Sequence, residues 1–396
     1  MDDYKVDHLF LLVGKNPLPN YVVGKSNQLL RERGKAYLVY TTDTKPYADK
    51  LKDKLGLSNK DLISLGNYQS DAYEIQERIK GKARELKGRL GLNYTGGTKA
   101  MSVNAYLAIR SLERDEAPVF SYLDAKSIKL CIDQPNRSPI QKTISEPLKL
   151  ADLFDLHTKD LSLKGQRKEV LLPALVTSLA KYSNEWNAWR SRKEIKQVLE
   201  KNRDNLLGIS NLPGELVDAF KSENLLIDNA CISLAAVQKK CGFKSLKEAS
   251  IWLTGKWLED FVMLKVAPLS KRYGTEHGTS FEVYLAKDGQ PTEKSQFEFD
   301  VAFMKGYQLF AFSCTTSSKS SRCKAKLFEA YIRARQLGGE EARVGLVCCS
   351  DNPDVLKNQF KSSIAAHAIN VFGQNQLSNL TEEISSWISE LEAQEK

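Results

Sequence analysis

The sequence predicts an α/β fold, with a parallel sheet covered by helices at the start of the chain and a second, strand-rich core at its end. Three observations carry this expectation. Short runs that are apolar on both faces alternate with amphipathic segments over 1–135, helical periodicity dominates 136–250, and strand texture returns around 280–350.

Taken in order, "HLFLLV" (8–13), "AYLVYT" (36–41), "DLISLG" (61–66), "RLGLNYT" (89–95) and "PVFSYL" (118–123) read as strands. Their near-continuous hydrophobicity suits strands buried on both faces. Segments such as 71–87, "DAYEIQERIKGKARELK", supply the crossover helices, so 1–135 reads as a Rossmann-like domain with helices on both faces of its sheet. "QPNRSPIQKTISEP" (134–147) reads as a turn-rich connection. The helical linker region, 136–250, contains "EVLLPALVTSLAKYSNEWNAW", and "SLKEASIWLTGKWLEDFVMLKV" leads into the last domain, 251–396. There "SFEVYLA", "FEFDVAFM", "QLFAFSC" and "RVGLVCC" are strands, with a helix at "CKAKLFEAYIRARQLGG" that Gly338–Gly339 stops. A polar helical tail is expected at the end.

With 396 residues, 42% hydrophobic and 27% charged, the chain has the composition of a globular protein of two or three domains. No apolar run reaches the roughly 18 residues of a membrane span, and "MDDYKVDHLF" does not read as a signal peptide. Seven cysteines then suggest free thiols in a cytoplasmic protein. The four histidines (His8, His157, His277, His367) are scattered and no CxxC pair occurs, which argues against structural zinc. The net charge of +9 is uneven: residues 1–150 hold 25 Lys+Arg against 18 Asp+Glu, the rest 33 against 31. That excess suits an anionic ligand in the first domain, or simply a solvated surface.

Two loops follow predicted strands in the first domain: "VGKNPLPN" (13–20) and "TGGTKAM" (95–101), the latter opening a helix over 98–111. Gly96 and Gly97 permit close backbone approach, Thr95 and Thr98 offer hydroxyls, and Lys99 brings charge. This chemistry suits a phosphate, though a plain helix-capping turn reads equally well. Neither GxxxxGK[ST] nor GxGxxG is present. "NYTGGTKAMS", paired with the early "VGKNPLPN", resembles the CRISPR-associated Rossmann-fold (CARF) domain over about the first 135 residues. The resemblance implies a symmetric homodimer that senses cyclic oligoadenylate, most often cyclic tetra-adenylate. It places Thr95, Gly96, Gly97, Thr98, Lys99 and Met101 along the ring, with Asn16, Pro17, Leu18, Pro19 and Asn20 as the opposite wall. Thr42 and Thr44, in "YTTDTK", are weaker candidates.

In the last domain, "WLTGKWLEDFVM" (252–263) offers Glu259 on a helix, and Asp300 ends "FEFD" in a strand. With a second strand about thirteen residues on, the layout resembles the PD-(D/E)xK core of the restriction-endonuclease-like α/β fold. That resemblance implies Mg²⁺ or Mn²⁺ held by Asp300 and Glu259, and the order of domains resembles CRISPR ancillary nucleases of the Can/Card type. Those act as dimers on single-stranded RNA, DNA or both. One departure is central: Ser313-Cys314-Thr315 stands where the family has Glu-x-Lys. Either the chemistry has moved to the next helix, where "SKSSRCKAKLFEAY" carries Lys324, Lys326 and Glu329, or the domain is degenerate. Lys326 and Glu329 are three apart and share a helix face, with Arg322 a turn earlier.

Each residue also has a plainer reading. Glu259 is equally a solvated helix acid, and Lys324 and Lys326 are most simply surface lysines. Asp300 is harder to dismiss, because Asp is disfavoured in strands. Glu298, on the same strand face, is a second ligand or an edge charge. Cys314 has no histidine near it in sequence and reads as a buried thiol. Two functions remain: a ring-activated metal-dependent endonuclease of antiviral defence, or a ring-responsive effector that binds nucleic acid or a partner without cutting.

Overall fold

The computed structural model describes residues 4–26, 28–124, 127, 129–144, 148–157, 161–164, 167–201, 206–274, 277–287, 290–361 and 368–394; between 279 and 298 the description is of the backbone.

The first unit runs β1 (Val6–Leu12), α1 (Leu18–Ser26), β2 (Leu30–Tyr40), α2 (Lys45–Lys54), β3 (Leu62–Ser64), α3 (Ala72–Arg84), β4 (Leu90–Asn93), α4 (Lys99–Arg110), β5 (Val119–Asp124), β6 (Lys129–Gln134) and β7 (Arg137–Thr143). Its sheet has the order β3-β2-β1-β4-β5-β6-β7. The first five strands are parallel, and β6 and β7 add an antiparallel edge. Alternation along the strands feeds two cores. Leu9, Leu11 and Leu38 join Val22 of α1 and Leu51 of α2 on one face, while Phe10, Leu12 and Val39 join Ile75 and Ile79 of α3 and Ala105 of α4 on the other. Strand order reverses between β1 and β4, which opens a crevice at the carboxyl ends of those two strands. The stretch after 134, expected as a turn-rich connection, instead forms β7. Asn136 makes the turn with φ 60°, and Pro139 is accommodated because β7 is an edge strand. The first sheet therefore continues past the boundary expected at 135.

Next come α5 (Leu150–His157) and β8 (Leu161–Lys164), then the helix-rich middle: α6 (Pro173–Lys181), α7 (Ser183–Arg190), α8 (Lys193–Lys201), β9 (Leu206–Gly208), α9 (Gly214–Ser222), β10 (Leu226–Ile227), β11 (Cys231–Ser233), α10 (Leu234–Cys241) and α11 (Leu246–Ile251). The three short strands form an antiparallel sheet in the order β10-β11-β9. Trp186 and Trp189 of α7 are buried and stack on each other with centroids 4.5 Å apart.

The last unit follows a π-helical turn at Trp252–Lys256: α12 (Trp257–Arg272), β12 (His277–Lys287), β13 (Gln290–Lys305), β14 (Gln308–Thr315), α13 (Ser320–Gly338), β15 (Arg343–Cys348), α14 (Pro353–Lys361), β16 (Ile369–Phe372) and α15 (Leu380–Gln394). Its sheet runs β16-β15-β14-β13-β12-β8, so residues 161–164 belong to it although the expected boundary lies at 251. The tail expected to be polar is amphipathic: Leu380, Ile384, Trp387 and Ile388 of α15 are buried. One apolar cluster joins the first and last units through α5, whose Phe154 lies 6.3 Å from the Phe299 ring. Lys50 and Lys54 of α2 pair with Asp155 and Asp152 across the same junction. Among the described residues no helix is long and apolar enough to cross a membrane, and all seven cysteines are free thiols.

Candidate active site and ligand loops

The sequence Leu258-Glu259-Asp260 puts two acids side by side on α12, and the helix separates them. Consecutive residues are rotated by about 100° on a helix, so the two carboxylates face different surroundings. Asp260 is fully buried and structural. It accepts both Nη atoms of Arg167 (2.5 and 2.9 Å), the Leu171 N–H (2.7 Å) and Trp252 Nε1 (2.8 Å). Glu259, 7% exposed, lines a cavity of about 660 Å³.

Asp300 lines the same cavity from β13 and is 3% exposed. On the neighbouring strand, Ser313 Oγ (3.1 Å) and the Cys314 N–H (2.5 Å) both donate to its Oδ2. The neutral triplet thus has work to do: it holds the strand acid in place by donation where the related pattern has charged groups. The cation comes from α13, whose Lys326 Nζ lies 3.5 Å from the same Oδ2. Among the sequence candidates, the structure brings Glu259, Asp300 and Lys326 together. Lys324 and Glu329 do not line the cavity; Glu329, one turn past Lys326, is exposed. The helix face that points inward is the one carrying Arg322 and Lys326, four residues apart. Glu298 lies on β13, but its side chain falls outside the described residues.

Several lining residues had not been singled out. The π turn swings Thr254, Gly255 and Lys256 into the cavity wall, a use of π-bulges common at functional sites. Its carbonyls are met from α7: Trp186 Nε1 donates to Leu253 O at 3.1 Å, and Arg190 Nη1 donates to Thr254 O. Among the described residues, five cations (Arg190, Lys256, Lys319, Arg322, Lys326) line the cavity with two acids, Glu259 and Asp300. Arg190 is half-buried, and burial pushes its guanidinium below the ordinary value, with Cys349 acting the other way and Arg322 adding to the depression. Among the described residues there is no group of three or more His, Cys, Asp or Glu able to hold a metal. Two inward carboxylates nonetheless fit a magnesium-like ion, which commonly takes one or two carboxylates and fills its shell with water and substrate phosphate.

At the crevice of the first sheet the two predicted loops meet. A Cβ on Gly14 would sit 3.1 Å from the Gly97 N, and one on Gly96 only 2.1 Å from Leu12 O. Thr98 caps α4 by accepting from the Met101 N–H and donates to Gln69 O; Thr95 Oγ1 donates to Asn93 Oδ1. Both hydroxyls expected for a ligand are therefore engaged within the chain. Lys99 and Thr42 are exposed, and Asn16, Gly96 and Gly97 are half-buried. Pro17, Leu18, Pro19, Asn20, Thr44 and Met101 are buried beneath the loops instead of standing on their surface. Asn20 donates to Leu12 O (2.9 Å), Thr44 bonds with Thr41, and Met101 belongs to the core under α4, so packing claims all three.

Residues 246–391 match the family model described as "Card1-like, endonuclease domain". No curated protein matches the chain. Two solved structures share its architecture over nearly the whole length. Protein VC1899 from Vibrio cholerae is 15% identical with TM-score 0.73, covering 97% of this chain and 98% of its own. Can2 from Sulfobacillus thermosulfidooxidans, solved in complex with cyclic tetra-adenylate, is 16% identical with TM-score 0.70, covering 96% and 99%. Glu259, Asp300 and Lys326 thus fall within the part of the chain similar to a Card1-like endonuclease domain, in a fold shared over nearly the whole length with VC1899 and Can2.

Proposed function

We propose that this chain is a metal-dependent endonuclease of type III CRISPR antiviral defence, cytoplasmic and homodimeric, that cuts single-stranded RNA or DNA when cyclic tetra-adenylate binds its first domain. One observation carries the reading: Lys326 reaches Asp300 in a cation-rich cavity that Glu259 also lines, within the region similar to a nuclease domain. Glu259 and Asp300 would hold Mg²⁺ or Mn²⁺, which when bound lowers the pKa of a water for attack on phosphorus. The chain's own residues do the rest. Ser313 and the Cys314 N–H fix Asp300, the cationic wall draws the strand in by its phosphates, and Lys326 orients groups around the reacting oxygen. Contacts to the backbone make cutting tolerant of sequence.

In the first domain the ring sits on the crevice between the loops 13–20 and 95–101, with Lys99 and the Gly96–Gly97 backbone facing its phosphates. Coupling requires the ring to bind the active arrangement more tightly than the resting one. Helix α13 is suited to carry it: its first turns line the cavity, and Gly339, just past its far end, packs against Asn16 of the first loop. The non-hydrolytic alternative loses its main support, since the neutral triplet anchors an acid and the lysine arrives from α13. The test is cutting of labelled single-stranded RNA and DNA with Mn²⁺, with and without cyclic tetra-adenylate, beside Asp300→Ala. Ring-dependent cutting absent from the variant is the expected result. Tight ring binding without cutting would return the non-hydrolytic effector.

A further inference from the structure

Arg190 lies in the middle of the chain, outside residues 246–391, yet it lines the nuclease-like cavity. Its guanidinium is spent only in part. Nε donates to Asn187 Oδ1 (2.8 Å), Nη1 to Thr254 O, and Nη2 to Thr316 Oγ1 (2.8 Å). A guanidinium has five N–H donors, so one remains on each Nη atom. Every acceptor it has is neutral, and among the described residues no carboxylate pairs with it. Its charged neighbour is another cation, Arg322. Holding a half-buried charge beside a like charge costs stability unless an anion completes the set. Among the described residues none supplies that anion to Arg190, although Glu259 and Asp300 line the same cavity.

We propose that Arg190 and Arg322 form a phosphate subsite for the nucleic-acid strand, separate from the Asp300–Lys326 centre, so that helix α7 of the middle region completes the substrate groove. This rests on the nuclease reading and names its missing contact. The three fixed bonds orient the guanidinium before substrate arrives, and its two remaining donors, one on each Nη, suit two oxygens of one phosphodiester. The phosphate it takes flanks the reacting one, because Arg190 touches neither acid. Ser317, Ser318 and Lys319, just before α13, complete that wall.

The test is equilibrium binding of a labelled 12-nucleotide single strand, with cyclic tetra-adenylate present and EDTA in place of metal, so that no cutting occurs. Arg190→Gln is expected to weaken binding roughly tenfold and to lower the slope of log K against log salt by about 0.7, one phosphate's share for a single strand. A scan of single methylphosphonate linkages adds a readout that folding does not move. One neutral linkage should weaken binding to the wild type as much as the substitution does, and have no effect on Arg190→Gln. Arg190→Lys, which keeps the charge without the fork, should fall between them, and serves if the glutamine variant does not fold. Unchanged affinity and slope, or a linkage equally sensitive in both proteins, overturns the subsite. A wild type that binds the strand with this pattern but never cuts it with Mn²⁺ overturns the nuclease reading and leaves the subsite standing. Failure of the wild type to bind overturns both.

Discussion

The same substitution at two acids should give opposite signatures. Asp260→Asn removes the charge from a fully buried carboxylate met by four donors, two of them from Arg167, whose own side chain is 29% exposed. An asparagine cannot accept all four bonds, and breaking a buried pair typically costs about 3–5 kcal/mol. Asp300→Asn removes less. Two charge-assisted bonds, from Ser313 and the Cys314 N–H, become neutral ones at a cost of about 1 kcal/mol each. The Lys326 contact, 3.5 Å long with that lysine 38% exposed, contributes less than about 1 kcal/mol. Against this, a 3%-exposed charge no longer has to be desolvated, which returns a comparable amount. At roughly 2–4 °C per kcal/mol, Asp260→Asn should lower Tm by about 6–20 °C and Asp300→Asn by less than about 4 °C. Cutting, measured well below both midpoints, should reverse the order. Loss of an outer-shell partner of a metal site already costs about 10–100-fold, so a ligand itself should cost more than about a hundredfold in Asp300→Asn and little in Asp260→Asn. If Asp300→Asn unfolds as readily as Asp260→Asn, or still cuts, then Asp300 is a structural acid and the assignment is wrong.

Three further outcomes follow from the geometry. Gly96→Ala would place a Cβ 2.1 Å from the Leu12 carbonyl oxygen, so the loop must shift; binding of cyclic tetra-adenylate by titration calorimetry should weaken at least roughly tenfold, with cutting restored at saturating ring. Gly339→Ala combines φ +72° with a Cβ 2.1 Å from Asn16 Nδ2 and should reduce the stimulation of cutting by the ring at least about fivefold. Unaltered stimulation would remove α13 from the coupling route. Glu341 is 4% exposed, its Oε2 has no hydrogen-bond partner among the described residues, and burial pushes its carboxyl up. A raised folded pKa gives stability that is complete below the ordinary glutamate range and lost as pH rises through the folded value. Glu341→Gln removes that loss, so its Tm should gain on the wild type between pH 4 and pH 8; a constant difference would refute the burial argument.

The parallel sheet was legible because both of its faces are buried, which leaves continuous apolar runs such as Leu9–Val13. The meeting of its two loops, 13–20 and 95–101, was legible for a related reason: Gly96 fits only where backbone approaches backbone, and the approach is to Leu12 O at the end of β1. What failed was local. Residues 137–143 contain Pro139 and polar side chains, which favour a turn, yet an edge strand needs only one partner and tolerates both. The tail was read as polar because charged residues outnumber Ile384, Trp387 and Ile388, which at helical spacing are enough to bury one face.

The candidate site divides along the same line between local and tertiary signals. Asp300 announces itself, since a carboxylate inside "FEFDVAFM" is costly unless something holds it, and Ser313 and the Cys314 N–H do. The lysine does not announce itself. Lys324 and Lys326 differ by two positions, about 200° around the helix, and only the packing of α13 on β14 and β15 decides that Lys326 faces Asp300. Arg190 is further still from recognition: "WNAWR" carries the pattern of a core helix, and its two tryptophans are indeed core. The arginine gains its place from the π turn sixty-odd residues later, whose Thr254 carbonyl it meets. A site assembled from separate stretches of chain can take its lysine from a helix without altering the strand acid. Under the proposed function the neutral Ser-Cys-Thr triplet marks a transfer of charge to α13, and the hydrogen bonds from Ser313 and the Cys314 N–H are what hold Asp300 beside Lys326.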